Sequence, residues 1–374
     1  MQIVPLRIPA VECPDYVKDI ISGWSGIQFQ DMTLQEVAVL KPKTFLTNED
    51  YLLSNMDKIF EVMEQNGIKE IVIHAGHIFK FTHAIFEKLN RMAEGKKVHF
   101  ISMSYMLKNY SNIISHSHDV TEYNISHDVN LIFCERLKLK KSPKLDFIFI
   151  VNTNNPFRQQ LSSALEQSGV LKNSIVSNSG HDEYDRLREK QKKMIDFLKG
   201  ECCNGMCADA LSSWVTVPNF SAYEKCFCEI VVESANGKFD DIRDGVTHRG
   251  GIFTDLSEKT YRPIALGVPF VFLGSEDMFN KLIRDGYQLL DYDDFYKKWH
   301  NRTNLQTSIS HLIYFLEKIM VDKDLRHKLE AMAKHNYHHF WVNRKLAHRK
   351  NTLQICKDCF GESFYDRVYD YFNF

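Results

Sequence analysis

The 374-residue sequence lacks the short motifs that mark several common functional classes. It has neither the Gly-x-Gly-x-x-Gly loop of dinucleotide-binding proteins nor the Gly-x-x-x-x-Gly-Lys-[Ser/Thr] loop of P-loop proteins. No apolar run is long enough to span a membrane, and the first residues lack the basic segment and apolar core of a signal peptide. The sequence therefore predicts a cytoplasmic protein without a membrane partner.

The sequence also lacks an excess of charge of either sign. Its 47 basic and 48 acidic residues give a net charge of −1. This balance argues against a histone-like nucleic-acid binder, although a local basic groove is compatible with it.

The nine cysteines are irregularly spaced, which is typical of reduced thiols in an intracellular protein. Cys356 and Cys359 form a lone Cys-x-x-Cys, preceded by His338, His339 and His348. A structural zinc site needs four ligands at regular spacing, and the sequence contains no second Cys-x-x-Cys. We therefore expect incidental thiols on a C-terminal helix and no metal site.

The first half of the sequence alternates helix-like and strand-like segments. Asn48 is suited to cap a helix with a long apolar stripe. Apolar runs predict strands over 70–74 and 98–102 on either side of a helix over 78–93, and a further strand over 129–133. Strands and helices that alternate with short connections predict a parallel sheet covered by helices.

The second half repeats this alternation. Strands are predicted over 145–151, 227–232 and 268–273, with a helix over 157–167 and another beginning at Ser257. The fold class that we expect is α/β, with two Rossmann-like domains facing a cleft. Ligands of such domains bind at the carboxyl ends of the strands.

Three regions follow from this pattern. We expect an N-terminal Rossmann-like domain over 1–140, a nucleotide-binding Rossmann-like domain over 141–325, and C-terminal helices over 326–374 that pack across both domains. The basic segment 136–144 is interpreted as the linker between the domains, and a phosphate-contacting strip on DNA is the alternative. A monomer is expected.

The segment after the strand 145–151 has the chemistry of an anion site. Asn152 begins a turn of small polar residues, and Arg158 lies in the first turn of the following helix. Free backbone N–H groups and the positive helix end favour an anion there, and a guanidinium can contact phosphate with two donors. A surface salt bridge is the alternative role of Arg158.

A second helix start has similar chemistry. Ser257 can cap it, and Glu258, Lys259 and Thr260 form its first turn. A lysine at this helix end opposes the helix dipole unless an anion such as a diphosphate is bound. Glu233, at the end of the preceding strand, is expected in the same crevice. An ordinary exposed helix start is the alternative.

These two segments together resemble a known family. The spacing of Asn152, Pro156, Arg158 and Leu165 resembles the opening of the nucleotide-binding domain of α-1,3-fucosyltransferase-like enzymes. The later block is similar to the hallmark block of that family and of phage and bacterial glycosyltransferases. It comprises Glu233-Ser234, Ser257-Glu258-Lys259, Gly267-Val-Pro-Phe-Val, Gly286-Tyr287 and the acidic-aromatic stretch 291–296.

The resemblance covers about residues 145–299 and implies a GT-B glycosyltransferase. The implied donor is a UDP- or GDP-sugar, with no tightly bound cofactor. Arg158 and Lys259 would contact the donor diphosphate, and Glu258 would contact its ribose or sugar. The donor site as a whole comprises Asn152, Arg158, Glu233, Glu258, Lys259 and Thr260. Ser257 replaces the threonine of the family, and the loop before it is unusually long.

An inverting transferase also needs a base at the acceptor hydroxyl. His77 is the first candidate and His74 the second, because both lie at the end of the predicted strand 70–74. Either could instead be a packing histidine, and Asp31, Asp50 and Glu122 remain open. Whether the transfer retains or inverts the anomeric configuration also remains open.

Two classes of acceptor are compatible with the sequence. One is 5-hydroxymethylated pyrimidine in double-stranded phage DNA, which the basic segments 136–144 and 326–350 favour, together with the aromatic residues Tyr337, Phe340 and Trp341. The composition also resembles that of T-even-type phage proteins, which would place the chain in the host cytoplasm. The other class is a cytoplasmic glycan or lipid-linked sugar. A nucleotide-binding protein without turnover is the non-enzymatic alternative.

Overall fold

The computed structural model of the chain describes residues 6–7, 30–31, 34–40, 44–75, 81–102, 105–106, 109–117, 143–150, 156–177, 220–233, 253–254, 256–300, 305–360 and 362. The chain forms two compact units. Unit 1 takes the described residues of 1–120, 247–255 and 346–374, and unit 2 takes those of 121–246 and 256–345.

The described elements alternate between strand and helix in most of the chain. In chain order they are β1 (Leu6–Arg7), β2 (Gln30–Asp31), α1 (Leu34–Leu40), β3 (Thr44–Asn48), α2 (Glu49–Asn66), β4 (Glu70–Ala75), α3 (His83–Met92), β5 (Lys97–Ser102), β6 (Tyr105–Met106), β7 (Ile113–Ser117), β8 (Leu145–Ile150), α4 (Pro156–Gln167), β9 (Ser174–Ser177), α5 (Phe220–Lys225), β10 (Cys226–Val232), β11 (Phe253–Thr254), α6 (Glu258–Leu266), β12 (Phe270–Leu273), α7 (Glu276–Arg284), a 3-10 turn (Tyr292–Asp294), α8 (Phe295–His300), α9 (Leu305–Val321), α10 (Lys323–His338), a π-helical turn (His339–Arg344) and α11 (Lys345–Phe360).

The main sheet of unit 1 is parallel, and its described strands run in the order β2-β1-β3-β4-β5-β7. The strands β6 and β11 form a separate antiparallel pair. One face of the main sheet packs against α1, α2 and α3, because each helix has an apolar stripe that matches the apolar face of the strands. The other face packs against α11 through Ile355 and Cys359.

The sheet of unit 2 is also parallel, in the order β12-β10-β8-β9. From β8 the chain first adds β9 on one side and then adds β10 on the other, so the order reverses between β8 and β10. In parallel α/β sheets, ligands bind beyond the carboxyl ends of the strands at such a reversal. All seven residues of β10 are buried, as expected for a central parallel strand.

Helices α9 and α10 and the π-helical turn complete unit 2. Phe340 is fully buried, and the Trp341 indole N–H donates to the backbone oxygen of Ala265 at 3.0 Å. The side chain of Asn336 is paired with the backbone N–H and C=O of Gln288. Unit 2 therefore continues to residue 345, whereas the sequence analysis ended the nucleotide-binding domain at 325.

The structure confirms the α/β class with two parallel sheets. The helix predicted after Asn48 is present as α2. The helix predicted over 78–93 begins only at 83, because the Thr82 side chain caps it by accepting from the Ile85 N–H. The short strands β7 and β9 were missed, because their serines break the apolar pattern. The strand predicted over 129–133 lies outside the described residues. None of the described helices has both the length and the apolar character needed to cross a membrane.

We expect Phe86→Ala to destabilise unit 1. The Phe86 ring is fully buried and lies 5.0–5.2 Å from the rings of Phe100 and Tyr110. Its loss should therefore lower the free energy of unfolding by about 3–5 kcal/mol. Val39→Ala on α1 is the control, because Val39 is 79% exposed. This substitution should change the free energy of unfolding by less than about 0.5 kcal/mol. Urea denaturation followed by circular dichroism measures both, and equal losses would contradict the assigned core.

Candidate functional site

The carboxyl ends of β8 and β10 bring several of the predicted donor-site residues together. Arg158 lies in the first turn of α4, which follows β8. Glu233 directly follows β10, and Ser257 is the N-cap of α6. A guanidinium, a carboxylate and a helix N-terminus thus lie at the edge of the unit 2 sheet where the strand order reverses.

Glu233 holds the start of α6 to the end of β10. One carboxylate oxygen accepts from the Ser257 N–H at 3.0 Å and from the Thr260 hydroxyl, and the other accepts from the Ser257 hydroxyl at 2.7 Å. Glu233 is only 1% exposed, and its own N–H donates to the backbone oxygen of Leu273 at 3.0 Å. Several hydrogen-bond donors compensate for the lost hydration of a buried carboxyl group. Its oxygens are engaged by the protein, so Glu233 positions the helix start.

Arg158 connects α4 to the same strand end. Its Nη2 donates to the backbone oxygen of Val232 at 2.9 Å, and the residue is 2% exposed. The surface salt bridge that the sequence allowed as an alternative is therefore wrong, because the side chain is not at the surface. The buried guanidinium places a positive charge beside the carboxyl end of β10.

Lys259 places its charge at the N-terminus of α6. Its backbone N–H donates to the Ser257 hydroxyl at 3.3 Å, and its ammonium lies 3.4 Å from the same oxygen. The side chain is half-buried. Because the helix dipole is also positive at this end, both charges favour an anion at this position.

Gly267 ends α6 in the left-handed conformation, with φ +62°. Its N–H donates to the backbone oxygen of Ile264 at 3.0 Å, and the Val268 N–H donates to that of Pro263 at 2.8 Å. This closing turn leads the chain from the site helix directly into β12, next to β10. The glycine of the Gly-Val-Pro motif thus has a conformational role.

A second buried carboxylate, which the sequence analysis missed, lies on β10 itself. Glu229 accepts from the Tyr223 hydroxyl at 2.8 Å. Burial raises its pKa to about 7, although the Arg262 charge and the Tyr223 hydrogen bond act in the opposite direction. Burial also raises the pKa of Tyr223 well above its ordinary value. A glutamate inside the apolar run Cys226–Val232 was the available sequence signal.

The other predicted site residues are described only in part or not at all. His77 and Asn152 lie outside the described residues. His74 is the fifth residue of β4, in register with Asn48 and Ile101, and Glu258 is the first residue of α6, but the structure does not describe either side chain. The assignments of the catalytic base and of the ribose contact therefore stay predictions.

A separate group of potential metal ligands lies in unit 1. Nδ1 of His99 and Nε2 of His116 are 3.0 Å apart, and the Cys359 thiol lies with them within 4.8 Å. All three residues are buried. Burial lowers the pKa of His99, and that of His116 to about 4, although the charge of Asp358 acts in the opposite direction. The cysteine-histidine cluster considered in the sequence analysis comprised different histidines.

The fold and the site define a class. The chain is an α/β protein of two units, each with a parallel main sheet. At the strand-order reversal in the sheet of unit 2 lie two positively charged side chains and a helix N-terminus. No protein-family model matches the sequence, and no curated protein matches it either. The resemblance to glycosyltransferases therefore depends on the motifs quoted above.

The pKa of Glu229 predicts a pH dependence of stability. Between pH 4.5 and about 7 the folded state keeps a proton that the unfolded state has released, so the free energy of unfolding should fall by about 3 kcal/mol as the pH rises. Glu229→Gln removes this contribution. Urea denaturation at several pH values measures the difference between the two proteins. The control Glu330→Gln, on the exposed side of α10, should keep the wild-type dependence of the free energy of unfolding on pH. If Glu229→Gln shows the same dependence on pH as the wild type, the raised pKa is wrongly assigned to Glu229.

Proposed function

We propose that the protein is a nucleotide-sugar-dependent glycosyltransferase of the GT-B class. The observation that carries the proposal is the convergence of Arg158, Lys259 and the N-terminus of α6 at the strand-order reversal of unit 2. A donor diphosphate has the charge that this position favours. The motifs of residues 145–299 add support, because they connect the same residues to glycosyltransferases.

The side chains of this site would have two kinds of role. Lys259 contacts the diphosphate and, together with the positive end of the α6 dipole, stabilises the negative charge that grows on it as the glycosidic bond breaks. Glu233 and Thr260 position that helix start through their hydrogen bond. Arg158 contributes its charge from a buried position, where it is fixed by Val232.

The proposed reaction is a substitution at the anomeric carbon of the donor sugar. The acceptor hydroxyl oxygen forms the new bond, and the bond from the anomeric carbon to the diphosphate oxygen breaks. The hydroxyl proton passes to a base, and the nucleoside diphosphate leaves as an anion. His77, with His74 as the second candidate, is proposed as that base for an inverting reaction.

The proposed acceptor is a 5-hydroxymethylated pyrimidine in DNA. The aromatic part of the sequence argument has less support, because Phe340 is fully buried, the Trp341 indole bonds to Ala265 and the Tyr337 ring packs beside Gly267. DNA as the acceptor is still supported by basic side chains on α10 and α11. The exposed lysines there are Lys328, Lys334 and Lys350. Phosphate contacts by lysine give DNA affinity that weakens with salt.

Lys259→Ala tests the donor site. Because a hydrogen bond to a charged group contributes about 1.5–3 kcal/mol, we expect the affinity for UDP or GDP to fall roughly 10- to 100-fold. Isothermal titration calorimetry with both nucleotides measures the effect. Lys172→Ala is the matched control, because Lys172 is an exposed lysine of unit 2 between α4 and β9. Unchanged affinity in Lys259→Ala would exclude Lys259 from the donor site.

Mass spectrometry of nucleosides tests the acceptor. Hydroxymethylcytosine DNA, hydroxymethyluracil DNA and unmodified DNA are each incubated with the protein and a panel of UDP- and GDP-sugars. A pentose or hexose mass on a hydroxymethylated base alone is the expected result. Slow donor hydrolysis without an adduct would move the acceptor to a glycan or lipid-linked sugar. Neither adduct nor hydrolysis would favour a nucleotide-binding protein without turnover.

A further inference from the structure

We propose that His99, His116 and Cys359 form a zinc site that fixes helix α11 to the sheet of unit 1. The inference does not rest on the proposed donor site, because its ligands belong to unit 1 and the donor-site residues described above belong to unit 2. The inference depends on the positions of the three ligand atoms, their burial and the elements that carry them.

The sheet register places the two histidines on one face. His99 pairs with Ile114, and His116 pairs with Ile101 on the neighbouring strand. Residues in register share a face, and residues two apart on a strand also share a face. His99 and His116 are therefore diagonal neighbours on β5 and β7, on the same face as Ile101.

Helix α11 brings the third ligand to that face. Ile355 and Cys359 are one turn apart on the helix and pack with Ile101 in a small buried cluster. One turn earlier, the Asn351 side chain donates to the backbone oxygen of Ser117 at 2.9 Å, at the end of β7. Three successive turns of α11 thus contact the sheet, and the thiol faces the histidines.

The distances fit a tetrahedral zinc ion. With Zn–N of about 2.05 Å and Zn–S of about 2.3 Å, two ligand nitrogens lie about 3.3 Å apart and a nitrogen and a sulfur about 3.6 Å apart. The histidine nitrogens are 3.0 Å apart, and all three ligand atoms lie within 4.8 Å of one another. Side-chain adjustments of about 1.2 Å or less are therefore enough to reach these separations, and a fourth ligand beyond these three residues would close the tetrahedron.

Burial indicates a structural rather than a catalytic role. His99, His116 and Cys359 are only 3–8% exposed, so a substrate cannot reach the thiol. Two imidazoles are otherwise unfavourable in an interface formed by apolar side chains, and the hydrogen bond between them offsets part of this cost. A zinc ion would coordinate all three ligands and release the thiol proton to solvent.

Zinc and cobalt binding by the untagged full-length protein test the site, after a chelator has removed bound metal and has itself been removed. We expect one Zn²⁺ per chain, and with Co²⁺ a thiolate-to-cobalt absorption band in the near ultraviolet. Zinc should also raise the melting temperature and slow amide hydrogen exchange in α11, because it binds only the folded state.

Cys359→Ala should abolish the cobalt band and lower zinc affinity at least tenfold. Cys226→Ala is the matched control, because Cys226 is an equally buried thiol of unit 2. The Cys226→Ala protein should keep the cobalt band and the wild-type zinc affinity. His116→Gln tests a second ligand if Cys359→Ala does not fold by circular dichroism. The proposal is wrong if the wild type binds neither metal, or if Cys359→Ala and His116→Gln bind zinc as the wild type does, since the ion would then lie among other ligands.

Discussion

The hydrogen bonds of Glu233 are the constraint on which the described site depends. A buried carboxylate is unfavourable unless several donors compensate for its lost hydration. Here the compensation comes from Ser257 and Thr260, so the strand end and the helix start are fixed to each other. Arg158 adds a bond from α4 to the same strand end through the backbone oxygen of Val232. The proposed anion site depends on this arrangement, because it holds the helix N-terminus at the edge of the sheet.

Buried polar groups recur in both units, and each has a different consequence. Glu233 positions a helix start, and Glu229 gives unit 2 a carboxyl group whose pKa is about 7. In unit 1, His99 and His116 form a polar pair beneath α11. Each group is expensive to bury and therefore has a compensating partner, which makes buried polar residues informative about a site.

The C-terminal segment shows how one pattern supports two interpretations. Basic residues interleaved with aromatic ones are typical of a nucleic-acid surface and also of an amphipathic helix that packs on a core. In unit 2 these aromatic residues pack on the core, since Phe340 is buried and the Trp341 indole donates a hydrogen bond to the α6 backbone. The sequence cannot distinguish these possibilities, because it does not show which face of the helix meets the protein.

Much of the local structure followed from the sequence alone. The apolar run of β10, the Ser257 cap of α6 and the helix after Asn48 were predictable because burial, capping and apolar period depend on near neighbours in the chain. The strand orders, the orientation of Glu233 toward α6, and the approach of Cys359 to His99 were decided by tertiary structure. These features join residues far apart in the chain, and a single sequence carries no signal for which distant segments will pack together.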